Sequence, residues 1–154
     1  MGLGETQKGG QEGQKQVNGY LLDTHVWLWI SEGAAGEVSR DFFSEVEEWQ
    51  RQRRVYLSPI SCWEVGLLVA AQQYRLDRPI QDMWEQDTNP ESFRIAELTG
   101  LILFDSTRLP GDLHRDPSDR ILAATARAHK LTLITRDKAL LRYAKQGHLQ
   151  ARKP

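Results

Sequence analysis

Four carboxylates stand in this chain where a carboxylate could do chemistry. Asp23 closes the short apolar run from Tyr20, Glu64 is the only charge between Val55 and Tyr74, Asp119 lies in the stretch HRDPSDR, and Asp137 sits two residues beyond Leu131 to Thr135. Three of them have an ordinary structural account when taken alone: Asp23 as a helix cap or turn residue, Asp119 as a first-turn charge favoured by the helix dipole, and Asp137 as a cap. Glu64 is harder to dismiss, because it falls on the same helical stripe as Ile60, Leu67, Leu68 and Ala71. A carboxylate on an apolar face needs an ion, an internal salt bridge to an arginine or a place at the rim, since burying an uncompensated charge costs several kcal/mol.

If the four acids converge, two carboxylates about 4 Å apart repel by roughly 4 kcal/mol at an effective dielectric near 20. Such a pocket requires cations or protons. All-oxygen ligation without paired Cys or His suits Mg²⁺ or Mn²⁺, ions that keep waters and take phosphate oxygens as further ligands. The chemistry that fits is hydrolysis of a phosphodiester by a water that the ion makes more acidic. Thr24 and Thr135 could orient waters or ligands. Arg115, Arg120 and Arg136 could meet phosphates, with surface ion pairs as the alternative.

The elements that must position these groups are short. Tyr20 to Asp23 reads as a strand handing over to a helix at Thr24 to Ile30, and ligands of open α/β sheets bind at such carboxyl ends. His25, Trp27 and Trp29 read as packing or partner-facing residues. Glu37 to Arg54 predicts an amphipathic helix through Val38, Phe42, Val46 and Trp49. Val55 to Ser58 predicts a strand, and Pro59 to Tyr74 a helix capped by Ser58 with proline at its first position. Cys62 reads as a small core residue. Pro79 to Gln86 can form a helix, Phe93 to Ala96 a strand, and Thr99 to Thr107 a short helix. Asp116 as cap and Pro117 as first residue open the next helix, Leu131 to Thr135 is a strand, Lys138 to Lys145 a helix, and His148 to Ala151 a last strand. Strands alternating with helices imply a three-layer α/β/α domain with a mainly parallel central sheet over residues 20–152.

Composition bounds what such a domain can do. With 154 residues, 40% hydrophobic and 27% charged, the chain suits one domain with an ordinary core. A formal charge of −1 argues against a general nucleic-acid coat, which binds through a basic excess. Nucleic acid can still be a substrate where cations supply the missing charge. One cysteine, Cys62, excludes an internal disulfide and suits a reducing compartment. No apolar run reaches membrane-spanning length, so a cytoplasmic location is expected. Residues 1–19 hold six of the twelve glycines and four glutamines with few apolar residues. They read as a disordered extension or an added leader.

The segments LLDTHVWLW, SPISCWEVGLL, LPGDLHRDPSDRILAATAR and LTLITRDKAL, in this order and spacing, closely resemble the PIN-domain toxins of VapC type, the toxin half of bacterial VapBC toxin–antitoxin pairs. The resemblance covers about Tyr20 to His148. It implies a PIN fold, an endoribonuclease using Mg²⁺ or Mn²⁺, a homodimer, and a VapB-like antitoxin that covers the active site. It assigns the four acids to Asp23, Glu64, Asp119 and Asp137, with Asp116 as a nearby supporting carboxylate and Thr135 beside the fourth. The polar leader before Tyr20 departs from the family pattern. Two other functions compete with this reading. A phosphatase of the haloacid-dehalogenase kind wants a second aspartate two residues after the first, where this chain has His25. A catalytically silent PIN-like module would bind an antitoxin or nucleic acid without cleavage.

Overall fold

The computed structural model describes residues 18–154, so the expected leader lies, up to Val17, outside the described residues. Five strands form one sheet in the order β3-β2-β1-β4-β5, with β1 at Tyr20–Leu22, β2 at Val55–Leu57, β3 at Arg94–Ile95, β4 at Thr132–Ile134 and β5 at Ala151–Arg152. Every neighbouring pair is parallel. The first strand is therefore central. The chain builds one side of it through β2 and β3 and then returns to build the other through β4 and β5. The reversal falls between β1 and β4, the topological switch point where α/β sheets open a crevice.

Strand alternation divides the core into two layers, because successive side chains point to opposite faces. Leu22 and Ile134 join Val55 and Leu57 on one face. There they pack with Trp27 and Leu28 of α1 (Thr24–Ser31), Phe42, Val46 and Trp49 of α2 (Arg40–Arg51), Val65 of α3 (Pro59–Ala70) and Met83 of α4 (Ile80–Asp87). Leu21 and Leu133 enter the other face with Leu122, Ala123 and Ala126 of α6 (Pro117–His129) and Leu140 and Tyr143 of α7 (Lys138–Lys145). A short helix, α5 (Gly100–Ser106), packs along α6. This is the three-layer α/β/α arrangement expected, with a sheet parallel throughout.

Capping residues set the helix starts. Asp23, Ser39, Ser58, Thr99, Asp116 and Asp137 each accept a backbone N–H at the head of the helix that follows. Because Ser39 takes the N–H of Phe42, α2 begins at Arg40, later than the expected Glu37. The helix after Pro59 ends at Ala70, short of the expected Tyr74, where Gln72 turns left-handed at φ 56°. The last strand likewise lies later than expected, at Ala151–Arg152.

Candidate active site

The site is built at the carboxyl ends of the two central strands. β1 and β4 pair Leu22 with Ile134, so the next residues, Asp23 and Thr135, stand side by side. Thr135 Oγ1 donates to Asp23 Oδ2 at 2.6 Å and accepts the N–H of Asp137 at 3.0 Å. One hydroxyl thus ties the first acid to the fourth. The other Asp23 oxygen accepts the N–H of Thr24 at 2.7 Å. Thr24, fully buried, donates its own hydroxyl to Ser61 of α3 at 3.0 Å. That contact fastens the start of α1 to the helix carrying Glu64.

Helix α3 lies against both α1 and α6, which brings Glu64 from one layer toward Asp119 from the other. The apolar stripe expected to bury Glu64 is core at one end only: Ile60 packs against the core, whereas Leu67 is 49% exposed and Ala71 lies open to solvent. Glu64 is nevertheless engaged at its tip, where Oε2 is buried without a hydrogen-bond partner. Asp119, in the first turn of α6, is placed by Asp116, whose Oδ1 accepts the N–H of Asp119 at 3.0 Å and the hydroxyl of Ser118 at 2.9 Å.

Electrostatics shows that the acids share one pocket. Burial, opposed by the hydrogen bond from Thr135 and reinforced by the charge of Glu64, pushes the Asp23 carboxyl up to about 6. Burial first, then the charges of Asp23, Asp116, Asp137 and Glu64, pushes Asp119 up to about 8. His114 completes the rim, with Nε2 3.1 Å from Asp119 Oδ2 and 3.9 Å from Asp137 Oδ1. That nitrogen is buried, yet the short approach lacks hydrogen-bond geometry. Donor atoms of His114, Asp119 and Asp137 all lie within 4.8 Å of one another. A divalent cation fits this set: an orphaned carboxylate oxygen and carboxyls forced toward protonation are what a missing positive charge leaves behind.

A family model described as PIN domain matches residues 20–146. The chain belongs to the PIN domain family. Among relatives of this PIN domain, Ribonuclease VapC22 of Mycobacterium tuberculosis is 28% identical over 120 residues, covering 78% of this chain and 88% of that protein. The fold is similar to that in VapBC2 from Rickettsia felis bound to a promoter DNA fragment, with a TM-score of 0.61 at 14% identity, covering 87% of this chain and 97% of that one. It is also similar to FitAB bound to the IR36 DNA fragment, with a TM-score of 0.60 at 23% identity, covering 88% and 94% of the two chains.

Within this PIN domain the expected residues divide into two groups. Asp23, Glu64, Asp119 and Asp137 come together electrostatically, with Asp116, Thr24 and Thr135 holding them in place. The three arginines do not share one role. Arg120 donates to the backbone carbonyls of Ser106 and Leu113 at 2.8 and 2.9 Å. It clasps the loop before α6, which is neither the surface ion pair nor the phosphate contact considered for it. Arg136 pairs with Glu37 at 3.2 Å and lies over the Trp29 ring. Arg115 is exposed on the loop before Asp116. Sequence reasoning missed His114 and Ser61. The signal for His114 was its place five residues before Asp119; for Ser61 there was none, since its partner is 37 positions away.

Proposed function

We propose that this PIN domain is a metal-dependent endoribonuclease, the toxin of a type II toxin–antitoxin pair. The observation that carries the reading is the buried, unpartnered Oε2 of Glu64 in a pocket where Asp23 and Asp119 are both held above the ordinary carboxylate range. Asp23, Glu64, Asp119 and Asp137 would hold Mg²⁺ or Mn²⁺. When bound, the ion supplies charge neutralisation and an acidified water for attack on an RNA phosphodiester. The chain's own residues supply the geometry. Thr135 and the N–H of Thr24 orient both Asp23 oxygens, Thr135 also fixes the backbone of Asp137, and Asp116 fixes the first turn that carries Asp119.

A VapB-like antitoxin and a second copy of the chain are the proposed partners. Exposed apolar side chains on two helices, Trp63 and Leu67 on α3 and Leu101 and Phe104 on α5, support a protein-covered surface. Among the described residues no helix is long and apolar enough to cross a membrane, and a cytoplasmic location is proposed with the rest.

The test is incubation of purified, antitoxin-free protein with total RNA, with and without Mg²⁺ or Mn²⁺, followed by mapping of the cut ends. Cleavage should require the ion and should fall in Asp23→Ala by at least on the order of 100-fold, the upper scale of losses from outer-shell changes at metal sites. Equal cleavage by Asp23→Ala, or none by the wild type, would overturn the reading and leave a binding module.

A further inference from the structure

A net charge of −1 and a pocket crowded with acids leave this domain without the broad basic field that usually holds nucleic acid. Affinity for a substrate strand must then come from somewhere other than charge. Stacking of unpaired bases on aromatic rings or guanidinium planes is the available contribution, and it operates on single-stranded RNA irrespective of sequence.

One surface beside the acids has this character. His25 and Trp29 are four residues apart on α1 and so share a helix face, with ring centroids 6.0 Å apart and planes tilted by 46°. The Trp29 ring is half-buried against the core, which holds it still. Across it lies Arg136, its guanidinium carbon 4.5 Å from the ring centroid, steered by Glu37. The Arg136 side chain remains 44% exposed and His25 is exposed. Both ends of this row join the pocket. His25 is close enough to Asp23 to act on its carboxyl, and Arg136 is bonded on either side to Thr135 and Asp137.

We propose that His25, Trp29 and Arg136 form a stacking ledge that receives an unpaired base flanking the cleaved phosphodiester. This rests on the ribonuclease reading above. Trp29 lies six residues along α1 from Asp23, roughly 9 Å at the helical rise, a placement suited to a flanking nucleotide. The guanidinium, held over the indole at 4.5 Å, can offer its outer face to a base and its edge donors to a phosphate. No other arginine expected near the pocket is so arranged, since Arg120 is committed to backbone carbonyls.

The experiment uses wild-type protein and a single-stranded oligoribonucleotide centred on a mapped cut site, with binding read by fluorescence anisotropy in Ca²⁺ and KM and kcat read separately in Mn²⁺. Replacing one flanking base after another by an abasic residue should locate a position whose loss weakens binding about tenfold, the scale of one base–aromatic stack. Trp29→Ala should weaken binding of the intact strand similarly, chiefly in KM, and should be indifferent to the abasic change at that position; Trp29→Tyr should restore both. Arg136→Ala should show the same insensitivity in part. Wild-type RNA binding by Trp29→Ala would overturn the ledge and point to a protein partner on this face. So would equal losses on intact and abasic strands. A wild type that neither binds nor cuts the strand would instead overturn the ribonuclease reading, so the two failures are distinct.

Discussion

At the scale of single residues, the pocket keeps two of its carboxyls, those of Asp23 and Asp119, from ionising freely. The ordinary value for an aspartate is 3.8, and Asp119 is pushed up to about 8 by burial and by four neighbouring acids. A raised value means the folded state holds its proton where the unfolded chain has released it. The stabilising contribution is complete below the unfolded value and is lost as pH rises through the folded one. In the absence of divalent ions, the thermal midpoint should therefore decline between about pH 4 and pH 8. Asp119→Asn, which never ionises, should lack much of that decline, so its advantage over the wild type should grow with pH and level off above about 8. Parallel melting curves for the two proteins across this range would contradict the shared pocket.

Asp23, Asp119 and Asp137 were legible in the sequence because each stands at a handover between elements, where a carboxylate is locally useful as well as chemically available; Glu64, inside α3, was legible as the only charge between Val55 and Tyr74. Asp23, Asp116 and Asp137 announce themselves as caps. His114 was marked only by its place five residues before Asp119, and Ser61 not at all, because a serine within a helix carries no local mark of what it meets in space. The same holds for the pairing of Thr135 with Asp23, which joins positions 112 apart.

At the scale of elements, α6 shows how a cap does two jobs. Asp116 Oδ1 closes the first turn and in doing so fixes the backbone of Asp119. Asp116→Ala should cost about 1 kcal/mol of stability, the usual loss for such a cap. It should also reduce cleavage, through misplacement of Asp119. Asp116→Asn, which can cap as well, should restore stability and most of the activity. Loss of activity in Asp116→Asn with stability intact would make its charge, not its capping, the working feature.

Helix starts were readable to within a few residues for the same reason, since Ser58 with Pro59 and Thr99 supply chemistry at fixed positions. Ends were not. The helix from Pro59 stops at Ala70 and the chain turns at Gln72 in a left-handed conformation without a glycine, so no residue type signals the exit. The edge strands β3 and β5 are two residues long, too short for alternation to define.

At the scale of the whole molecule, apolar runs between helical segments were enough to predict three layers, since Leu21 and Leu22 must face opposite ways. Strand order was beyond the sequence. Nothing local tells β1 that its second neighbour is β4. That order nonetheless decides where the pocket lies, and ligand binding should stabilise the entire fold through it. Mn²⁺ at 100 times its dissociation constant should add about 2.7 kcal/mol and raise the melting midpoint. At one fixed Mn²⁺ concentration the increase should be larger at pH 8 than at pH 6, because protons on Asp119 and Asp23 compete with the ion. An equal increase in a Glu64→Gln, Asp119→Asn double variant would place the ion elsewhere.

The central position of the earliest strand has a consequence for synthesis. The ribosome releases β1 well before β4, so Asp23 has no Thr135 beside it until β4 emerges, and Asp119 arrives only shortly before. A nascent chain lacks the assembled pocket throughout the 112 residues that separate Asp23 from Thr135, made at about 5–20 residues per second. An enzyme that cuts RNA and is built in this order would have no working pocket until those residues have left the ribosome.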